Sequence, residues 1–337
     1  MVTEGLHADL VLEGGGVKGI GLVGAYAALK DRGYEFHRVA GTSAGAIVGA
    51  LIAADMPLLE LQKVMREIDY GRFEDKGFVD HLGLVGKGAS LLFEKGIYEG
   101  TYLLEWLTGQ LAALGVRTFG DLRIDDPGSS LPPERRYRLV VMASDVTRGR
   151  LVRLPWDYPH YGVDPDQQPV AEAVRASMSI PFFYEPLRFK ARDADGRERL
   201  SYMVDGGMLS NFPIDVFDRT DGRPPRWPTF GIKLSAQPDA ALRHKYEVHG
   251  TFSLALAMLG TMTGFHDQIH VEDPATLART MFVDTYGVRA TDFDIDEEMQ
   301  DMLFRSGVGA ATKFLEGWAF DRYIERFRSE DATERTA

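Results

Sequence analysis

Cysteine is missing from all 337 residues. Its absence excludes disulfides, cysteine-held zinc or iron–sulfur centres and a thiol nucleophile together, and it fits a reducing compartment. A long apolar run is missing too. Phe252 to Gly260, the longest late in the chain, is too short to span a bilayer. Met1 to Leu10 carries an acidic residue and no basic, apolar leader, so no signal peptide is expected. Positive charge is in deficit, with 38 Lys and Arg against 50 Asp and Glu and a net charge of -12. That balance disfavours nucleic-acid binding through clustered phosphate contacts, and tight constitutive docking on anionic membranes. A local basic or apolar patch still leaves room for transient contact with a membrane surface. The expectation is a soluble, cytoplasmic protein, peripheral at membranes where it meets them.

What is present is ordinary globular material, 45% hydrophobic and 26% charged. With no internal repeat and no long linker, a single domain over 1–337 is expected, with a motif-bearing core over 8–290 and a helical tail over 296–328. Ala8 to Leu12 is an apolar run closing on Gly14, Gly15 and Gly16, which reads as a buried strand. Lys18 to Lys30 follows with helical periodicity and ends at Asp31-Arg32-Gly33. A short strand, Arg38 to Ala40, enters Gly41-Thr42-Ser43-Ala44-Gly45. Ala46 to Ala54, apolar on every face, reads as a helix buried within a larger fold. Strand, tight turn and helix, given twice, are the grammar of a parallel α/β sheet. Further on, helices are expected at Thr101–Leu114 and Val170–Met178, and strands at Tyr137–Ala143, Leu200–Val204, Thr229–Leu234 and Thr280–Val283. Lys190 to Arg199 reads as a polar, hairpin-like connection. Gly71 to Gly100, rich in glycine with scattered Phe and Leu, reads either as a mobile excursion over a site or as a packed surface loop.

Three glycine-bearing turns carry the chemistry. In Gly41-Thr42-Ser43-Ala44-Gly45 a serine sits on a sharp strand-to-helix turn that pushes its hydroxyl outward, and Gly41 and Gly45 make room for the turn. The following helix aims its first N–H groups and partial positive charge at a developing oxyanion. Gly14-Gly15-Gly16-Val17-Lys18-Gly19 leaves backbone N–H groups uncovered, as an oxyanion hole needs, with the Lys18 cation nearby to add to the field. The same residues match a dinucleotide fingerprint, with Glu35 about twenty residues downstream as that reading wants. It is disfavoured because the acid should end the second strand, where the serine turn stands instead. A serine needs a base. Of the eight histidines, only His266 and His270 fall in a plausible late position, on a helix and not at a strand end, and both read as ordinary structural residues. Asp205, after Tyr202-Met203-Val204 and before Gly206 and Gly207, is the better candidate, although Asp205-Gly206-Gly207 taken alone reads first as a plain turn.

Taken together and in order, these three turns resemble the motifs of the patatin-like phospholipase family. Gly96-Ile97-Tyr98-Glu99-Gly100, Arg175-Ala176-Ser177-Met178-Ser179-Ile180-Pro181 and Asn211-Phe212-Pro213 look like further family blocks, so the resemblance spans about Asp9 to Pro213. It implies a three-layer α/β/α fold around a mostly parallel sheet, and a Ser-Asp dyad without histidine. Carried over, it makes Ser43 the nucleophile, Asp205 the general base, and the backbone N–H groups of Gly14, Gly15 and Gly16 the oxyanion hole. Lys18, Gly41, Gly45, Gly206 and Gly207 support them, and no metal or organic cofactor is called for. The implied activity is hydrolysis of fatty acyl esters of phospholipids or related lipids through an acyl-enzyme. An acyltransferase on the same site and a dinucleotide-binding protein are the alternatives. An activating ligand or protein partner stays open. Arg175 to Pro181 is expected to be packing beneath the site; acyl selectivity is sought in Gly71–Gly100 and Phe252–Phe265, where ordinary core packing is the competing and favoured reading.

Overall fold

The computed structural model describes residues 5–68, 100–192, 195–234, 273–290 and 294–328, with 254, 257, 258, 261 and 292 standing alone. Among these residues one mixed sheet holds eight strands. They are β1 (Leu6–Leu12), β2 (Tyr34–Thr42), β3 (Leu139–Asp145), β4 (Arg150–Leu154), β5 (Leu187–Arg192), β6 (Glu198–Asp205), β7 (Thr229–Lys233) and β8 (Thr280–Phe282). β3, β2, β1, β7 and β8 run parallel in that order; β4 and β6 pair antiparallel with β3, and β5 pairs antiparallel with β6. The helices are α1 (Gly19–Asp31), α2 (Ala44–Ala53), α3 (Leu58–Glu67), α4 (Thr101–Ala113), α5 (Val170–Ser177), α6 (Pro274–Leu277), α7 (Glu297–Gly317) and α8 (Phe320–Phe327).

The central strands form because their side chains are apolar on both faces, as a sheet covered twice requires. Residues 139–145 of β3 are all buried, as are the last five of β1 and of β2. Alternation along β7 shows both covers. Phe230 lies 5.4 and 5.1 Å from the rings of Phe314 and Trp318, whereas a side chain at the next residue, Gly231, would strike Phe212 and Ile214. α1 and α7 pack backbone to backbone: a Cβ on Gly24 or Gly307 would collide with the main chain of Phe304 or of Gly21. Asp296 caps α7, its carboxylate accepting the Met299 N–H at 2.8 Å, and Glu297 and Glu298 follow in the positive first turn. The tail that read as one helical stretch is thus two helices, parted at Trp318 and Ala319.

On β3, Met142 pairs with Thr42 of β2, and the next residue, Ala143, pairs with Asp205 of β6. β4 lies along 141–145 and therefore occupies the opposite edge. β2 and β6 consequently share one edge of β3 and meet head to head, C-terminus against C-terminus.

The structure lengthens several elements. β2 begins at Tyr34 rather than Arg38, so Glu35 lies inside the second strand, near its start and 66% exposed, not before it. The dinucleotide objection stands, since the strand ends in Thr42 and the serine turn and not in an acidic residue. β5 and β6 extend into 190–199, where a connection was expected. Charged residues alternating with inward apolar ones on an edge hairpin hide the strand signal. β4 carries the same disguise, as Arg-Leu-Val-Arg-Leu, and had no sequence expectation.

Candidate active site

Ser43 stands between β2 and α2 with φ 53° and ψ -124°, a backbone conformation that L-residues seldom adopt and that costs on the order of 1–3 kcal/mol. Its surroundings hold it there. The Ser43 N–H donates to Ser177 Oγ at 2.8 Å, and its carbonyl accepts from the N–H groups of Ala46 (2.8 Å) and Ile47 (3.2 Å). The glycines two residues on either side are required by close approach. A side chain at Gly45 would strike the carbonyls of Leu12 and Glu13, and one at Gly41 would strike Gly45 itself. α2 is buried along its whole length, so the turn is anchored by the core as well as by hydrogen bonds.

Asp205 closes β6 and caps the short turn 206–208, with Oδ1 accepting the Gly207 N–H at 2.7 Å. Its own N–H donates to the Ser179 carbonyl at 2.9 Å. A side chain at Gly206 would strike the backbone of Met142, so only glycine lets β6 end against β3 at this level. Burial raises the Asp205 carboxyl from 3.8 to about 6, against the smaller lowering from the Gly207 N–H and the Ser43 hydroxyl. The Ser43 hydroxyl donates to Met178 Sδ at 3.4 Å, a weak partner, and it also acts on the Asp205 carboxylate as a second donor.

The glycine-rich turn flanks this pair. A side chain at Gly14 would come within 3.1 Å of Ser43 Cβ. The Gly14 N–H already donates to the Asn211 carbonyl at 3.3 Å, and the Asn211 amide returns a bond to the Gly14 carbonyl at 3.3 Å. That narrows the expected set of oxyanion donors: the N–H groups of Gly15 and Gly16 have no acceptor among the described residues, whereas that of Gly14 is engaged. Gly16, at φ 56°, abuts the Ala290 backbone, which also accepts the Val17 N–H at 3.2 Å. Lys18 is turned to the Leu234 carbonyl at 3.3 Å, so its ammonium braces the turn from the β7 side. Behind the turn, buried Glu13 pairs with buried Lys233 and accepts the Leu234 N–H, tying β1 to β7 where the glycines begin.

The expected residues therefore gather in one place: Ser43, Asp205, Gly14 to Gly16, and the supporting Gly41, Gly45, Gly206 and Gly207. Three residues of the 175–181 segment have more than the packing role expected of them. Ser177, Met178 and Ser179 respectively hold the Ser43 N–H, the Ser43 hydroxyl and the Asp205 N–H. Buried Arg175 braces that segment by donating to Ser179 Oγ and, at 3.0 Å, to the Glu185 carbonyl. Asn211 was a family block without an assigned task. Most of Gly71–Gly100 and Phe252–Phe265, together with His266 and His270, lies outside the described residues. Among the described residues no helix is long and apolar enough to cross a membrane.

The family model described as patatin-like phospholipase matches residues 10–218, a span that holds Ser43, Asp205 and the glycine turns around them. YqhO of Bacillus subtilis, described as an uncharacterized protein, is 35% identical over 315 residues, covering 94% of this chain and all of that one. Lysophospholipase nte1 of Aspergillus niger is 28% identical over 63% of this chain, which spans only 11% of that relative's length. Among solved structures, VipD from Legionella pneumophila superposes with a TM-score of 0.50 at 17% identity, over 93% of this chain and 67% of that one, a likeness of fold. The chain belongs to the patatin-like phospholipase family, and with it to the lipid acyl hydrolases.

Proposed function

We propose that this protein cleaves fatty acyl esters with Ser43 as nucleophile and Asp205 as the sole general base. The supporting observation is the head-to-head meeting of β2 and β6, which brings Ser43 and a buried carboxyl raised to about 6 to the same point on the edge of β3. Such a carboxylate is largely ionised at neutral pH yet more basic than an exposed one, as a general base should be.

In the first step Asp205 takes the Ser43 proton while Oγ bonds to the ester carbonyl carbon. Charge then develops on the carbonyl oxygen, and the N–H groups of Gly15 and Gly16 are the donors best placed to receive it, with the first amides of α2, which have no intrahelical partner, adding to the field. Collapse breaks the C–O bond, the leaving alcohol takes the proton from Asp205, and the acyl group stays on Ser43. A water, deprotonated by Asp205, then attacks the acyl carbonyl and Ser43 recovers its proton. The strained turn holds Oγ clear of α2, which shortens the approach of the carbonyl.

The relatives described as lysophospholipases make single-chain phospholipids the first natural candidates. The test is release of fatty acid from a p-nitrophenyl ester and from a fluorescent lysophospholipid by wild type, Ser43→Ala and Asp205→Ala. Loss of both activities in both folded variants supports the dyad, and full activity in Ser43→Ala rejects it. Added glycerol separates hydrolysis from acyl transfer, since a transferase would divert the acyl group into acylglycerol.

A further inference from the structure

We propose that the outward face of the β5–β6 hairpin docks the protein on an anionic phospholipid surface at the end of the sheet that carries Ser43 and Asp205. Because β6 runs antiparallel to β3, and Met203 pairs with Asp145 at the end of β3, the part of β6 before Met203 lies beyond the C-terminal edge of the parallel strands. The seven steps from Glu198 to Asp205 carry the hairpin on the order of 20 Å past the site. The hairpin therefore stands out from the site's end of the sheet.

Its two faces differ. Arg188 pairs with Tyr202, Lys190 with Leu200 and Arg192 with Glu198, so these six share a face. The opposite face carries Phe189, packed 5.7 and 5.5 Å from the rings of Tyr158 and Tyr161. The first face is thus turned to solvent. Arg188, Lys190 and Arg192 are all exposed there, and none makes an ion pair among the described residues. Beside them Leu200 is 39% exposed and Val146 46%, the latter tied to β6 by its N–H to the Tyr202 carbonyl at 3.1 Å.

In a chain of net charge -12, residues 187–202 hold five basic residues against three acidic ones. Charge on an edge strand also discourages edge-to-edge pairing. That role would be met by either sign and does not ask for exposed Leu200 and Val146 alongside. Unpaired cations in a row, with exposed Leu200 across from Lys190 and Val146 on the far side of β6, are complementary to anionic headgroups over an acyl layer. The choice of a lipid surface as occupant rests on the acyl-hydrolase reading above.

The test is co-sedimentation of the full chain with vesicles of phosphatidylcholine, alone or mixed with phosphatidylserine, at low and high salt. It is run for wild type and for the combined R188Q, K190Q and R192Q variant, with p-nitrophenyl ester hydrolysis as the parallel readout. Wild type should prefer the anionic vesicles and lose that preference in high salt, and the variant should bind them on the order of tenfold to a hundredfold more weakly. Ester hydrolysis should not change. Equal binding of wild type to both vesicles, or of variant and wild type to the anionic ones, overturns the proposal. Salt-sensitive binding with no ester hydrolysis would remove the hydrolase reading and leave the docking surface standing.

Discussion

Replacing Asp205 with Asn should make the protein more stable and catalytically dead. A carboxyl whose pKa is raised from 3.8 to about 6 by burial costs on the order of 3 kcal/mol to keep ionised in place. Asn fills the same space and still caps the 206–208 turn, because its side-chain oxygen accepts the Gly207 N–H as the carboxylate does. The sign follows from linkage. The folded pKa lies above the unfolded one, so the penalty is complete above about pH 6 and disappears as pH falls below the ordinary value of 3.8. Asp205→Asn should therefore melt higher than wild type at pH 8, by roughly 3–4 °C for a chain of this length, and by almost nothing at pH 4. Thermal melts at both pH values, with ester hydrolysis at pH 8, make the comparison. A variant less stable at pH 8, or a gain independent of pH, would refute the reasoning that burial is what holds the carboxyl high.

The remaining expectations concern the same pair. For wild type, kcat/KM on a soluble ester should fall about tenfold per pH unit below about pH 6, since only the ionised carboxylate can take the serine proton; a flat profile down to pH 5 would exclude Asp205 as the base. Ser177→Ala removes the acceptor of the Ser43 N–H and should cost about 1–3 kcal/mol in unfolding experiments, with kcat falling further than KM rises.

How much of this was legible from sequence depends on the distance over which the signal acts. The serine turn, the glycine turn and the strand before Asp205 are local patterns, and each folds as its neighbours in the chain dictate. What brings them together is not local. That β2 and β6 share one edge of β3 follows from pairings across more than sixty residues, and no periodicity reports it. The tasks of Ser177, Met178 and Ser179 were hidden for the same reason: in sequence they are the end of an amphipathic helix, and they reach Ser43 and Asp205 only through the fold. That Asn211 engages the Gly14 N–H was hidden for the same reason, because the two meet only through the fold. The charged edge strands β4 and β5 were obscured differently, since strands half open to water carry a weaker apolar pattern than buried ones.

The central claim is that Ser43, activated by Asp205, becomes covalently acylated. Mass spectrometry of the protein after brief exposure to a fluorophosphonate, which traps activated serines, tests it most directly. One adduct is expected, mapped to the peptide holding Ser43, absent from Ser43→Ala and formed far more slowly in Asp205→Asn. An adduct on another serine, or equal labelling of wild type and Asp205→Asn, would contradict it.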